Sequence, residues 1–299
     1  MLHRWDISPK EAIALQRSLA GKVGTDLSLG EPETVAGVDV AYLRESNESI
    51  ATVVVLNLHD LLPIEVAVAR VPTPFPYVPG LLSFREIPPI LEAFGQLSRK
   101  ADLVFVDGHG MAHPRRIGIA SHLGLWLEMP TIGIGKSRLC GSYEEPGQDR
   151  GSSCDLIDRG ETIGCVLRTR SGVKPVFVSV GFGLPLEACV EWTLKVTTRY
   201  RLPEPIRTAD RIAAQSKGIG TGAGGQELGS KTQVPSTNSQ LPVPSSQLLL
   251  SLEVGSNPHS SPFHREMAGV KRNREGFHQF TPLFVIEWNF NGVAAFRTD

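Results

Sequence analysis

The run Leu103 to Val106 (LVFV) constrains the fold more than any other part of the sequence, because it is apolar at every position. A strand with no polar face is covered on both sides, as the central strands of a sheet flanked by helices are. The run ends in Asp107 and continues as Gly108-His109-Gly110, which predicts a loop where a ligand can approach the backbone. The sequence therefore favours an α/β fold.

The other elements surround this strand in an order that predicts a mixed sheet with helices on its faces. The predicted helices are Ser8 to Val23, Arg85 to Leu97, Ile117 to Leu127 and Leu186 to Thr197. The other predicted strands are Thr34 to Leu43, Ile50 to Leu58, Pro63 to Val71, Thr131 to Ile134, Thr162 to Arg168 and Pro175 to Val180. The first three of these strands are short and β-branched, as in an antiparallel meander.

The composition changes after Lys217. From Gly218 to about Pro262 the chain is rich in Gly, Ser, Pro, Gln and Thr, which predicts a disordered linker because such a segment buries little apolar surface. The last residues regain apolar side chains around Asn291-Gly292, a turn signal that predicts a small hairpin or a docking tail. We therefore expect a folded domain over residues 1–217 and a low-complexity linker and tail over residues 218–299.

Composition also limits where the protein works and what it binds. No apolar stretch resembles a secretion signal or reaches the length of a membrane span, so we expect a cytoplasmic protein with no membrane partner. The four cysteines form no Cys-x-x-Cys pair, which predicts free thiols in a reducing compartment. A formal net charge of -1 provides no overall basic field, so a nucleic-acid partner needs a local patch. Candidates for such a patch are Arg115, Arg116, Lys136 and Arg138.

Three carboxylates lie in or beside apolar segments. Asp39 is inside the strand-like run VAGVDVAYL, Asp107 ends LVFV, and Glu86 begins a predicted helix. Ionised carboxylates in such surroundings need a compensating charge, and oxygen ligands suit Mg²⁺ or Mn²⁺ better than zinc. Taken singly, each has a structural explanation in a bulge, a turn or the first turn of a helix. The three together favour a metal site.

Histidine and lysine follow the same strands. His109 and His113 are four positions apart, but Gly108, Gly110 and Pro114 disfavour the helix that a zinc pair would need. Each histidine is therefore a candidate for donating to phosphate or moving a proton, or is simply exposed in the loop. Lys136, just past the strand TIGIG, is a candidate for holding a phosphate or a leaving oxygen, although most lysines are only solvated.

The loop PTPFPYVPG, from Pro72 to Gly80, is stiffened by its prolines and carries Tyr77 between apolar residues. A rigid apolar tip of this kind can wedge between nucleic-acid bases, and it is equally compatible with a packed connection. With the carboxylates and Lys136, the loop points to metal-dependent phosphoryl transfer on nucleic acid.

Four segments occur in order along Pro9 to Lys217: PYVPGLLSFRE (Pro76 to Glu86), LVFVDGHGMAHPRRIGIASHLG (Leu103 to Gly124), PTIGIGKSRLCG (Pro130 to Gly141) and YRLPEPIRTAD (Tyr200 to Asp210). Together they resemble endonuclease V, the deoxyinosine-directed repair nuclease family, in its bacterial form. The resemblance implies a ribonuclease H-like α/β fold, with a mixed five-stranded sheet flanked by helices.

The resemblance also implies the chemistry. Asp39 and Asp107 would bind the catalytic Mg²⁺, for which Mn²⁺ can substitute, and Glu86 would complete the acidic site. His113, rather than His109, and Lys136 would assist near the scissile phosphate. The family nicks DNA at the second phosphodiester bond on the 3′ side of a deaminated adenine, leaving 3′-hydroxyl and 5′-phosphate ends.

The resemblance assigns DNA contacts as well. The strand-separating wedge is formed by Pro76, Tyr77, Val78 and Pro79. The pocket for the flipped base is lined by Gly80, Leu82, Gly108, Gly110, Ile119 and Leu139. The expected partner is DNA containing deaminated bases, with single-stranded DNA or RNA as further substrates, and the protein is expected to act as a monomer.

Two departures from the family pattern leave other functions open. Phe182 and Gly183 stand where the family usually has His-Arg, a position we expect near the active site, so catalysis or DNA contact is expected to be weaker. The chain from Gly218 onward matches no part of the family. One alternative is a ribonuclease for inosine-containing RNA, and another is a non-catalytic protein that binds inosine lesions.

Overall fold

The computed structural model describes residues 2–27, 29–218, 285–288 and 294–297. Its main feature is an eight-stranded mixed sheet in the order β3-β2-β1-β4-β5-β8-β7-β6. The strands are β1 Thr34–Leu43, β2 Glu48–Asn57, β3 Pro63–Pro72, β4 Leu103–Asp107, β5 Thr131–Gly135, β6 Ser153–Asp158, β7 Glu161–Leu167 and β8 Val176–Phe182. The helices are α1 Pro9–Ala20, α2 Leu82–Phe94, α3 Ile119–Leu127, α4 Leu186–Lys195 and α5 Glu204–Gly218.

The position predicted for the LVFV strand is confirmed. β4 lies between β1 and β5 and pairs with both in parallel, and its first four residues are fully buried. Phe105 faces a core that includes residues of α4 and α5, such as Ile206. Val104 and Val106 face the opposite core, which includes residues of α2 and α3. A strand buried on both faces needs no polar side, which is why the run is apolar throughout.

The predicted mixed sheet with helices on its faces is confirmed, but the number of strands is not. The sheet has eight strands rather than five, because β6, β7 and β8 extend it in antiparallel fashion beyond β5. β6 escaped the sequence analysis since it is an edge strand in which Leu156 is the one fully buried residue. Edge strands of this kind carry a weak hydrophobic signal.

Helix boundaries follow local capping chemistry. α1 starts after Ser8, whose hydroxyl accepts from the Glu11 N–H while the Glu11 carboxylate accepts from the Ser8 N–H, with Pro9 at the first helical position. α5 was not predicted, although it has Pro205 in its first turn and apolar residues at Ile206, Ala209 and Ile212. These three side chains pack into the core beneath the helix.

Three further observations concern the predictions made outside the sheet. Beyond residue 218, strands β9 Val285–Trp288 and β10 Ala294–Arg297 pair in antiparallel fashion, while Asn291-Gly292 and the predicted linker lie outside the described residues. The four cysteines are free thiols. No helix in the described ranges is both long enough and apolar enough to cross a membrane.

Gly37 shows how tightly α5 rests on the sheet. A Cβ at this position of β1 would overlap the backbone carbonyl of Pro205, in the first turn of α5. The helix can therefore lie against the strand only because this position has no side chain.

Replacing Gly37 with Ala is expected to lower the free energy of unfolding by about 2 kcal/mol, because the added methyl group must push α5 away from β1. Urea unfolding of the wild type and the variant measures this change. Gly21→Ala is the control, since its Cβ would meet no atom within 4 Å, and it should alter stability by less than about 0.5 kcal/mol. Equal stability of Gly37→Ala and wild type would contradict the close contact of α5 with β1.

Candidate active site

Three parallel strands bring charged residues to one edge of the sheet. β1 and β4 are in register with Val38 opposite Val106, so Asp39 and Asp107 follow at the same level. β5 pairs with β4 through Asp107 and Ile134, and Lys136 comes directly after its last residue. Because parallel strands end at the same edge, these three side chains meet there.

Glu86 joins this group from a different element. It lies in α2, on the face of the sheet that α2 and α3 cover, and is only partly exposed. A cavity of about 190 Å³ brings Asp39, Glu86 and Asp107 together. Its apolar lining consists of Val38, Val40, Leu82, Ile90, Val106 and Ile119. The three predicted carboxylates therefore converge on one cavity.

The electrostatics of this cavity are those of crowded acids. Burial, followed by the negative charges of Asp39 and Asp107, raises the pKa of Glu86 to about 8, against the opposing charge of Arg85. At neutral pH the Glu86 carboxyl thus holds its proton unless a cation offsets the neighbouring charges. A divalent cation supplies such an offset.

Lys136 provides one positive charge beside these acids. Its ammonium forms an ion pair with Oδ2 of Asp107. Partial burial lowers the pKa of Lys136, but the hydrogen bond and charge of Asp107, together with the charges of Asp210 and Asp39, raise it above the ordinary value. Lys136 is therefore protonated at neutral pH and close enough to Asp107 to act on a group bound there.

The residues fit a hard divalent cation in their chemistry. Their donors are carboxylate oxygens, the ligands that Mg²⁺ and Mn²⁺ prefer, and the charges of Asp39 and Asp107 add to burial in raising the pKa of Glu86. In the part of the chain that is described, no three His, Cys, Asp or Glu side chains are already arranged to hold a metal ion.

A second cavity, of about 230 Å³, adjoins the first and shares Leu82 and Ile119 with it. Eight of the ten residues predicted to contact DNA line it: Tyr77, Val78, Pro79, Gly80, Leu82, Gly108, Ile119 and Leu139. Five further residues complete the lining: Gln16, Ser83, His109, His113 and Gly118. The lining is mostly apolar with a few polar groups, as in sites that bind a planar ligand.

Pro76 and Gly110 do not belong to this lining. Gly110 is buried, and a Cβ there would overlap the carbonyl of Val180. Its N–H donates to the Ser179 hydroxyl at 2.8 Å. The glycine is therefore required for close packing of the loop on β8, and its amide is already used within the protein.

The two histidines lie in different surroundings. His113 is 3% exposed, and its ring lies in the wall of the second cavity. Its Nδ1 accepts from the Arg115 N–H at 3.2 Å, and its Nε2 lies 3.2 Å from the Gly80 carbonyl oxygen. Burial, followed by the charge of Arg115, lowers the pKa of His113 to about 4, so the ring is neutral at neutral pH.

His109 contacts the neighbouring loop. Its Nε2 lies 2.9 Å from the carbonyl oxygen of Ser137, next to Lys136. Burial lowers the pKa of His109, against the hydrogen bond to Ser137 and the charge of Asp107. His109 thus links the loop after β4 to the loop after β5.

The predicted wedge projects from the protein between two fixed ends. Tyr77 is 72% exposed, whereas Phe75, just before the wedge, is 4% exposed. Arg85 donates to the Phe75 carbonyl oxygen at 3.0 Å. Gly80, at the other end, has φ +78, a left-handed conformation that glycine adopts without strain.

The expected position of Phe182 is wrong. In the antiparallel pair of β5 and β8, Phe182 is opposite Thr131, the first residue of β5, while Lys136 follows the last. At about 3.3 Å per residue, Phe182 is roughly 16 Å from Lys136, at the opposite edge of the sheet. Phe182 packs against Gly124, and Gly183 adopts φ +81 where a Cβ would meet Leu27. Both residues serve packing at that edge.

Sequence reasoning missed several residues of the site. Asp210 was in a quoted motif, but its approach to Lys136 depends on α5, which was not predicted. Ser83 lines the second cavity and its hydroxyl lies 3.0 Å from Nδ1 of the buried His122. His122 in turn lies 2.7 Å from His3 through the two Nε2 atoms. These contacts join distant parts of the chain, so local spacing carries no signal of them.

Comparison with known proteins is consistent with this geometry. Residues 17–211 match the family model described as Endonuclease V. The chain is 49% identical over 213 residues to endonuclease V of Nostoc punctiforme, covering 71% of this chain and 96% of the relative.

Solved structures of endonuclease V are also similar to this chain. The crystal structure of endonuclease V from Streptomyces avermitilis is 44% identical, with a TM-score of 0.69 and coverage of 73% of this chain and 96% of that one. Endonuclease V of Ciona intestinalis, 26% identical with a TM-score of 0.63, covers 71% of this chain and 100% of its own. That protein was solved in complex with a 23mer DNA containing an inosine followed by a ribo-adenosine.

Replacing Glu86 with Gln is expected to flatten the pH dependence of stability in the metal-free protein. The folded chain keeps a proton up to about pH 8 that the unfolded chain releases near the ordinary pKa of 4.5, so this contribution to stability is lost as pH rises between the two values. Gln carries no charge at either pH. The variant should therefore be more stable than wild type by about 1–2 kcal/mol near pH 8.5 and by less near pH 6.

Urea unfolding in the presence of a chelator at both pH values measures this difference. Parallel pH dependence of the two proteins would contradict the crowding of the three carboxylates.

Proposed function

The chain belongs to the endonuclease V family, and on that premise we propose that it nicks DNA at the second phosphodiester bond on the 3′ side of deoxyinosine. The proposed reaction is a magnesium-dependent hydrolysis that leaves 3′-hydroxyl and 5′-phosphate ends. The observation that carries the proposal is that Asp39, Glu86 and Asp107 share one cavity, which adjoins a second cavity bordered by the exposed Tyr77 loop. A catalytic centre and a base pocket would stand side by side.

In this proposal Asp39 and Asp107 hold Mg²⁺ or Mn²⁺, and Glu86 completes the acidic wall. When bound, the ion supplies a water of lowered pKa and offsets charge on the phosphate. The burial that raises the pKa of Glu86 also keeps bulk water from the carboxylates, which strengthens their hold on a cation.

Lys136 acts on the other side of the phosphate. Its ammonium is protonated and lies against Asp107. From there it is placed to offset negative charge as the leaving oxygen departs, a role for a compact cation on a flexible stem. Asp210, whose charge also raises the pKa of Lys136, helps to keep the lysine charged.

The second cavity takes the lesion base. Gly80, Gly108 and Ile119 bring backbone groups and a tight apolar wall to it, so a flipped hypoxanthine fits where a base with a bulky exocyclic group is excluded. Tyr77 and its flanking prolines enter the gap left in the duplex, as intercalating side chains do. Weak pairing of inosine lowers the energy needed to flip it.

A second substrate is inosine-containing RNA. The complex of the Ciona protein, whose DNA carries a ribo-adenosine after the inosine, favours testing it. Matched DNA and RNA oligonucleotides with one inosine separate the two substrates, since the protein must sense the 2′-hydroxyl to distinguish them.

Replacing Asp107 with Asn is expected to reduce the nicking rate at least about a hundredfold, because a neutral amide is a poor ligand for a divalent cation and a poor partner for Lys136. The substrate is an end-labelled duplex with one inosine, incubated with Mg²⁺, and the product length on a sequencing gel gives the cut bond. Ligation of the nick reports the 5′-phosphate.

Asp60→Asn is the matched control. Asp60 lies in the turn between β2 and β3, and this turn is at the edge where β1 begins, away from Asp39. Its nicking rate should equal that of wild type. A cut at a different bond, activity without a divalent cation, or undiminished nicking by Asp107→Asn would contradict the proposal.

A further inference from the structure

One backbone carbonyl receives an unusual number of donors. The Gly80 oxygen, directly after the Pro76 to Pro79 wedge, lies 3.1 Å from Nε2 of Gln16, 2.7 Å from Nη2 of Arg115 and 3.2 Å from Nε2 of His113. A carbonyl oxygen has two lone pairs, and one or two donors usually satisfy it. Three side chains from separate parts of the chain therefore converge on the residue that ends the wedge.

Gln16 is the member of this group that belongs to another element. It lies in α1 and is 1% exposed. Its Nε2 donates to the carbonyls of Gly80 and Ile117, and its Oε1 accepts from Nε–H of Arg115 at 2.5 Å. Every side-chain polar atom of the amide is thus used, and exchanging its oxygen and nitrogen would break all three contacts.

Arg115 and His113 complete the clamp, which we define as Gln16, His113 and Arg115 on the Gly80 oxygen. His113 accepts the Arg115 N–H at Nδ1, so its Nε2 carries the hydrogen and donates to Gly80. Arg115 reaches Gln16 through Nε and Gly80 through Nη2. The guanidinium therefore holds the amide and the carbonyl in a fixed relation.

The clamp determines how firmly the wedge is held. At its other end the Phe75 ring is buried, and the Phe75 carbonyl accepts from Arg85. Four residues, two of them prolines, separate these two fixed ends, so few backbone torsions remain to absorb a force applied at Tyr77. Motion of the wedge must therefore come from rotation about the backbone torsions of Gly80, which no side chain restricts.

We propose that Gln16 is a positioning residue that, through the Gly80 carbonyl, fixes the wedge in the orientation needed to open a duplex beside the lesion. The inference rests on the proposed function, because it concerns the same nicking reaction. It assigns to α1 a part in substrate opening, although none of its residues reaches the carboxylate cavity. Single-stranded DNA needs no opening, so the clamp matters for duplex substrates above all.

The test compares Gln16→Met with wild type on two substrates, an inosine-containing duplex and the same labelled strand alone. Met preserves the length and apolar packing of the side chain but donates and accepts nothing at the Gly80 carbonyl. The duplex nicking rate is expected to fall about tenfold, as for loss of a buried hydrogen-bond partner. Because Gln16 also lines the second cavity, the single-strand rate measures its contribution to base binding, and the loss on the single strand is expected to be at least about threefold smaller than the loss on the duplex.

Two controls separate positioning from general damage. Ser18→Ala removes a hydroxyl that bonds only to Leu15 within α1, and it should leave both rates at the wild-type value. A duplex with unpaired bases on either side of the inosine is already open, and it should restore the rate of Gln16→Met to within about threefold of wild type.

A second variant covers the case in which Gln16→Met does not fold. Arg115→Lys keeps the positive charge but has no planar fork to hold the amide and the carbonyl together, and it should show the same selective loss on duplex. Fluorescence of a 2-aminopurine beside the inosine, in chelator to prevent nicking, reports strand opening directly. Its rise on protein binding should be smaller for either variant than for wild type.

Equal losses on duplex and single strand, or no rescue by the open duplex, would overturn the inference. So would an unchanged duplex rate in a folded Gln16→Met protein. If wild-type protein nicks the single strand but not the duplex, the proposed role of the wedge in opening a duplex is contradicted, while the proposed nuclease function stands. Wild-type protein that nicks neither would overturn both.

Discussion

The crowding of Asp39, Glu86 and Asp107 into one cavity is the constraint around which the structure is organised. Three carboxylates share one small cavity, and burial together with their charges raises the pKa of Glu86 to about 8. β4, buried on both faces between β1 and β5, holds Asp107 beside Asp39 on β1, and Glu86 approaches the two from α2. The two cores beneath and above the sheet offset the electrostatic cost that the acidic site imposes.

The beginning of α2 connects this acidic site to the second cavity. Leu82 lines both cavities, Ser83 lines the second, and Glu86 lines the first. Arg85, between them, reaches back to the Phe75 carbonyl before the wedge. Little more than one turn of one helix thus fixes the distance between the second cavity and the carboxylates. In a nuclease that cuts beside the base it recognises, that distance determines which phosphate reaches the acids.

The sequence predicted those parts of the site that follow from a single segment. LVFV predicted the central strand because an all-apolar run has no other place in a sheet, and the resemblance placed Asp39 beside Asp107, as the register of β1 and β4 now shows. β6 was missed because an edge strand buries little. The sheet therefore proved wider than the five strands that the resemblance implied.

Contacts between distant segments could not be predicted in this way. The approach of Asp210 to Lys136, the capture of Gly80 by Gln16 and the position of Phe182 each depend on how elements pack, and no local pattern encodes them. His113 illustrates the limit most clearly. No local pattern indicates that its neutral ring is buried in the wall of the second cavity.

Because β5 and β8 pair in antiparallel fashion, the two ends of the short strand β8 are subject to different constraints. Phe177 pairs with Gly135, next to Lys136, whereas Phe182 pairs with Thr131 at the far edge. Substitutions at the first end would affect the acidic site and therefore nicking. Substitutions at the second end would affect only folding. The far end of β8 is therefore constrained by its packing against Thr131 and Gly124 rather than by the acidic cavity, and a difference from the family pattern there is no measure of lost activity.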